Sequence, residues 1–252
     1  NRLGLIRVMS TATAWFLKSL ALMDGTHLGY AKRVPAPVRK QREGGYVFRY
    51  EQQSLEQAIV QKLARIVSGL RASHLTLEGG FLQEAAILQR TVDEAQEDVL
   101  FLAYGRLTGQ WRGIHEKYLE NFWQDEPVSK VAVRRPEIRD YLAEIEGSLT
   151  QRDARAALKP IKDLYGVYSG YAHCASAHVM EMVAGDPPAF KLNGSPRSQF
   201  YSDQIYDIRN QHYRGLVAFA VTSLLFDDPT HFRQLMDAYI LATAQVNGAI
   251  LI

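Results

Sequence analysis

Apolar side chains at Phe81, Ala85, Leu88, Val92, Ala95, Val99 and Leu102 recur at alternating steps of four and three. That spacing keeps one side of an α-helix apolar for its whole length, so another element must cover it. Leu82, Ala86, Ile87, Leu100 and Phe101 extend the apolar surface around the flank and back. A helix covered on more than one side belongs inside a bundle.

The same period runs through most of the chain. It predicts helices over residues 3–23, 54–74, 80–104, 110–123, 136–146, 150–183, 203–226 and 229–246. Ser54 and Gln57 have capping-box spacing, Pro136 suits a first helical turn, and Pro160 should kink or divide the 150–183 segment. Only Tyr46, Phe48 and Tyr50, alternating with Val47 and Arg49, show the period of a strand. Residues 185–200, rich in Gly, Pro, Asn and Ser, read as a loop with room for one hairpin. The expected fold is therefore all-α: a single domain over 1–252, built as a bundle of seven or eight helices. Residues 1–50 form a basic helix plus an irregular arm, and 51–252 form the bundle.

Composition excludes several alternatives. With 252 residues, 47% hydrophobic and 22% charged, the chain is neither disordered nor collagen-like. The single cysteine, Cys174, makes no internal disulfide and no zinc site alone. Apolar runs fall well short of the roughly 20 residues a membrane span requires. The segment 3–23 reads as an amphipathic helix and not as a signal peptide, since Lys18 interrupts it and no small-residue cleavage site follows. Cytosol is the expected compartment, with no cofactor and no membrane partner.

A net charge of +2 conceals an uneven distribution. Residues 1–50 carry nine Lys or Arg against Asp24 and Glu43, a balance of +7, and the other 202 residues balance at -5. Lys32, Arg33, Arg39, Lys40 and Arg42 crowd around Pro35 and Pro37. Such an arm can neutralise phosphates, or it can simply connect elements while pairing with the acidic body.

Polar residues on covered helix faces are the other candidates. Arg90 and Glu94, four apart on the back of the 80–104 helix, form either a structural ion pair or part of a polar pocket. Gly166, Ser169, Gly170, His173 and Ala177 make a small-residue stripe that would let another backbone approach closely. Within it Ser169 and His173 lie one turn apart, as a hydrogen-bonded core pair or as two groups facing a ligand. A serine hydrolase is not indicated, because no Gly-x-Ser-x-Gly elbow and no third residue accompany them. Cys174, His178 and Glu181 could share a side of the same helix, but the pattern is too thin for a metal site, and none is expected. Arg209, in a stripe with Tyr206, Tyr213, Val217, Ala220 and Leu224, either ties helices together or joins His212 in binding an anion or nucleic acid.

The run GGFLQEAAILQRTVDEAQEDVLFL, with Arg90 and Glu94, and the later YSGYAH, with Ser169 and His173, resemble bacterial all-helical domains of unknown function loosely grouped with HEPN-like domains. The resemblance covers residues 80–182. It implies a helical bundle, with Arg90, Glu94, Ser169 and His173 as its polar centre and a setting in phage defence or toxin–antitoxin-like systems. HEPN ribonucleases are recognised by an Arg, four to six residues and a His. Here His74, His115 and His212 have arginines only three residues upstream, at Arg71, Arg112 and Arg209, so the ribonuclease chemistry is not carried over.

Three functions are consistent with these residues. The leading expectation is a non-catalytic binding or oligomerisation protein with a protein partner or a second copy. An RNA-binding or degenerate ribonuclease protein would use the basic arm and Arg90, Glu94 and His173. A small-molecule sensor would use a pocket lined by some of the 13 tyrosines.

Overall fold

The structure, a computed structural model, describes residues 2–124, 132–151, 165–195 and 200–250, with side chains between 14 and 244. The all-α expectation holds. In chain order the elements are α1 (Arg2–Ala31), β1 (Val38–Arg42), β2 (Gly45–Arg49), α2 (Leu55–Glu78), α3 (Leu82–Leu107), α4 (Gly113–Phe122) and α5 (Arg135–Thr150). They continue with a helical stretch α6 (165–172), then α7 (Ser176–Met180), β3 (Val183–Ala184), β4 (Ala189–Phe190), α8 (Tyr201–Leu225) and α9 (Pro229–Ile250). Pro160 and the 152–158 segment lie outside the described residues.

The central helix is α3, packed most extensively against α2 and α8. Its predicted stripe is the inner face: Ala85, Val92, Ala95, Val99 and Leu102 are buried, with only Phe81 at the N-terminal end exposed. Met23, Ile59, Leu63, Ile66, Leu70, Ile138, Leu216 and Phe219 surround it in one continuous core. Fully burying each large aliphatic side chain contributes about 1.5–3 kcal/mol. Gly69 of α2 lets that helix lie close to α3, since a Cβ there would collide with Val92 Cγ2.

The capping box forms as predicted. Ser54 Oγ accepts from the Gln57 backbone N–H at 3.2 Å, and the Ser54 N–H donates to Gln57 Oε1 at 3.0 Å. Three predicted boundaries move for tertiary reasons. Helix α1 continues past Asp24 and Gly25 to Ala31 because Met23, Thr26 and Tyr30 are buried one turn apart, and that burial outweighs the local stop signal. Gly105 lies inside α3 and is not its stop: its missing side chain makes room for the His115 ring, 2.5 Å from where a Cβ would stand. The 150–183 helix ends early, in a Schellman turn with Cys174 at φ 52°. There the Ala175 N–H donates to the Gly170 carbonyl at 2.9 Å and the Cys174 N–H to the Tyr171 carbonyl at 3.2 Å.

The basic arm is more ordered than the sequence suggests. Strands β1 and β2 form an antiparallel hairpin in which Arg39 faces Phe48 and Gln41 faces Tyr46. Gly44, at φ 80°, supplies the left-handed turn residue that a side chain would strain. A second short hairpin, β3 with β4, overlaps the Gly- and Pro-rich stretch that begins at residue 185. Among the described residues no helix is long and apolar enough to cross a membrane.

Candidate functional site

Helix α3 carries Asp93, Glu94, Glu97 and Asp98 within two turns. Asp93 and Glu97, like Glu94 and Asp98, are like charges at i and i+4, which destabilise an isolated helix. Three of the four are also buried: Asp93 and Asp98 are 2% exposed and Glu97 1%. Carboxylates removed from water this far cost several kcal/mol each unless cations meet them.

The cations come from four helices. Lys62 of α2 reaches Asp98 at 2.7 Å, and Arg135 of α5 reaches Asp98 at 2.7 Å and Glu97 at 3.5 Å. One turn along α5, Arg139 Nε donates to Glu97 Oε1 at 2.8 Å. Arg214 of α8 pairs with Asp93, and Arg90 of α3 itself holds Glu94 at 3.2 Å. Arg90 also donates to the Tyr165 hydroxyl at 2.7 Å, while the Arg139 guanidinium sits 4.0 Å over the Tyr165 ring. Burial pushes the Glu97 carboxyl upward, and Arg139 and Arg135 oppose that shift. Burial lowers Arg214 to about 10, which leaves it charged at neutral pH.

Beside this network lies a cavity of about 630 Å³ between α3, α5, α8 and α9. Its walls are mostly apolar, with Leu100, Tyr104, Leu142, Leu149, Val217 and Tyr239 contributing. Glu97, Arg139, Arg214 and Asn210 supply polar groups. Arg139 Nη2 is buried and has no hydrogen-bond partner among the described residues.

A separate buried chain joins α1, α2 and α8. Ser19 Oγ lies 2.5 Å from His212 Nδ1, and His212 Nε2 lies 2.9 Å from His74 Nε2. Phe16 stacks on the His212 ring, with centroids 4.8 Å apart, and meets the His74 ring at a tilt, with centroids 4.4 Å apart. Burial lowers the His74 pKa to about 4 and that of His212 well below its ordinary value. Both rings are thus neutral near pH 7. Ser19 Oγ also donates to the Phe16 carbonyl at 3.0 Å, so the chain is a closed polar link within the core.

Of the residues singled out from sequence, Arg90 and Glu94 form their pair beside Tyr165. Ser169 and His173 do not join them. His173 lies beyond the end of α6 and is exposed, so it is not a core histidine, and no hydrogen bond among the described residues links either side chain to Arg90 or Glu94. Among the described residues no second helix packs on the small-residue stripe: the ring of His178, folded back by the turn, fills the space over Gly170, and no described atom lies within 4 Å of where a Cβ of Gly166 would stand. That turn also removes Cys174, His178 and Glu181 from one helix side, and the described residues contain no cluster of metal-binding side chains.

His212, one of the candidates for binding an anion or nucleic acid, is fully buried, and both its ring nitrogens are engaged by Ser19 and His74. Arg209 is half-buried beside Tyr213, but the inner face of α8 is Gln204, Ile208, Gln211, Gly215 and Phe219, while Tyr206 and Leu224 face outward. Arg33 is structural as well: it donates to the Phe226 carbonyl and approaches Asp228 at 3.7 Å, fastening the end of α1 to the α8–α9 turn. Lys32, Arg39, Lys40 and Arg42 remain exposed, and the Arg39 guanidinium sits 3.8 Å over Tyr46.

Glu97, Arg139 and Arg214 were not singled out from sequence. The signal available was the acidic ladder on α3, whose like charges demand partners, together with Arg135 and Arg139 at i and i+4. No family model, curated protein or solved structure matches the chain.

Proposed function

We propose that this chain is a non-catalytic helical binding protein whose cavity between α3, α5, α8 and α9 takes a small organic molecule. The supporting observation is the cavity itself. Its volume of about 630 Å³ falls within the range of roughly 300–1,000 Å³ common to small-molecule sites, and mostly apolar walls with a few polar groups are the usual lining. Glu97, the cavity's buried carboxylate, is held by two arginines and is poorly placed to act as a general base. The expected setting in a defence or toxin–antitoxin-like system rests on the family resemblance alone, and the expected protein partner or second copy rests on the lack of a catalytic motif and on the small-residue stripe.

Thermal-shift and calorimetric screening of the full chain against amphipathic small molecules tests the reading. Ligands should raise the melting temperature of wild type and not of Val217→Trp, which fills the cavity from α8. Equal responses from both proteins would place binding elsewhere and refute it.

A second reading concerns the β1–β2 hairpin as a contact for single-stranded RNA. Tyr46 and Phe48 are 51% and 57% exposed on one face of the hairpin, beside Arg39. Aromatic faces that stack on bases, set among cations that meet phosphates, are the means by which single strands are held. Fluorescence anisotropy with a labelled RNA oligomer should show salt-dependent binding that Tyr46→Ala and Phe48→Ala weaken. Binding unaffected by both changes would remove the hairpin from consideration.

A further inference from the structure

The charged network is a linear arrangement with an end. Lys62, Asp98, Arg135, Glu97 and Arg139 are joined in that order by contacts of 2.7, 2.7, 3.5 and 2.8 Å. Signs alternate along it, and both termini are cations. The two remaining pairs, Arg90 with Glu94 and Arg214 with Asp93, are each balanced. Among the described residues, five cations therefore face four carboxylates, and the uncompensated positive charge belongs to the alternating chain. Lys62, at one end, rests beside the rings of Tyr118 and Phe122, at 5.6 and 4.8 Å. Arg139, at the other end, lines the cavity with a buried Nη2 that has no acceptor among the described residues.

The cavity is polarised in the same sense. Helices α3 and α5 run in the same direction beside it, because Glu97 pairs with Arg139 and, a turn further on, Phe101 meets Tyr141. Helix α8 advances with them, since Gln89 bonds Gln204 and Gln96 bonds the Gln211 carbonyl. The polar level holds Glu97, Arg139 and Arg214. One turn on, all three helices turn apolar, at Leu100, Leu142 and Val217. Glu146, the other acidic group of the cavity, is exposed and stands seven residues beyond Arg139, about 10 Å by helical rise. It lies at the far end and leaves the Arg139 level short of one negative charge.

We propose that the cavity binds an amphipathic monocarboxylate, its carboxylate accepting from Arg139 beside Arg214 and its apolar body lying against Leu100, Leu142 and Val217. This assignment rests on the reading of the cavity as a small-molecule site. A planar, two-oxygen, singly charged head matches a guanidinium in shape and the network in charge. A phosphate dianion would leave the site with an excess of negative charge. A neutral head could accept the free N–H but would leave the charge unbalanced.

The experiment is calorimetric titration of the full chain at pH 7.5 with decanoate, below its micelle concentration, and with 4-phenylbutyrate. The methyl ester of each acid and decylamine serve as comparisons. Carboxylates should bind about tenfold or more tightly than their esters, the usual effect of removing the charged acceptor from such a bond, and decylamine should bind weakest. Arg139→Gln should abolish the preference for acid over ester, while Val217→Trp, which leaves the ionic network intact, should weaken both. Esters equal to acids in wild type, or a folded Arg139→Gln protein that keeps the preference, would overturn the carboxylate assignment and leave the cavity reading standing. No titratable binding by acid, ester or amine would overturn both.

Discussion

Replacing His74 with Gln should change how stability depends on pH by an amount the buried imidazole pair sets. An unfolded histidine titrates near 6.5, whereas burial in the folded protein lowers His74 to about 4. Between those values the unfolded chain binds the extra proton, so stability falls as pH falls. At about 1.4 kcal/mol per pKa unit, linkage predicts a loss of about 2 kcal/mol from this group between pH 7.5 and pH 5, and about 3 kcal/mol once pH is well below 4. Asp207 acts with the opposite sign. Burial raises its pKa to about 6, so its destabilising charged form is relieved as pH falls. The comparison of wild type with His74→Gln cancels that contribution. Urea unfolding at the two pH values should show the stability of wild type relative to the variant dropping by about 2 kcal/mol on acidification. The same difference at both pH values would mean that His74 is solvated in the folded state and that the Ser19–His212–His74 chain is not closed.

Other perturbations address the fold and the network. Gly69→Ala should destabilise by about 1–3 kcal/mol, because the stiff Val92 side chain cannot yield to a new Cβ without moving α3. Combining it with Val92→Ala in an unfolding series should recover part of that loss, and strict additivity would argue against the contact. Arg139→Met should cost about 3 kcal/mol by leaving Glu97 to Arg135 alone, whereas Arg134→Met, which removes an exposed pair with Glu137, should change stability by about 0.5 kcal/mol or less. Chemical denaturation of the two variants separates these outcomes. Ser54→Ala should lower stability by about 1 kcal/mol through loss of the α2 cap, and an unchanged midpoint would show that the helix start is held by other contacts.

Local signals that agreed with tertiary packing were readable from sequence. The α3 stripe, the Ser54–Gln57 cap and the Arg90–Glu94 pair each appear where periodicity and spacing put them. Readings failed where contacts distant in sequence decide the outcome. Asp24 and Gly25 look like a helix end until Tyr30 is seen stacked on Phe226, 4.4 Å between ring centroids. Ser169 and His173 look paired only if the helix continues, and a residue adopting φ 52° at Cys174, with no glycine to announce it, ends it. On α8 the polar Gln204, Gln211 and His212 point inward, so a wheel weighted by hydrophobicity selects the wrong face. They are inside because Gln89, Asp93 and Ser19 answer their hydrogen bonds. Periodicity does not mark Arg139 and Arg214 for a related reason: a cation's importance here comes from the carboxylate on another helix that it meets.

The central claim, a ligand site between α3, α5, α8 and α9, is tested most directly by NMR on methyl-labelled protein in the presence of decanoate. Intermolecular NOEs should connect the alkyl chain to the methyl groups of Leu100, Leu142 and Val217. NOEs confined to methyl groups elsewhere, or a bound ligand with none to these three, would contradict it.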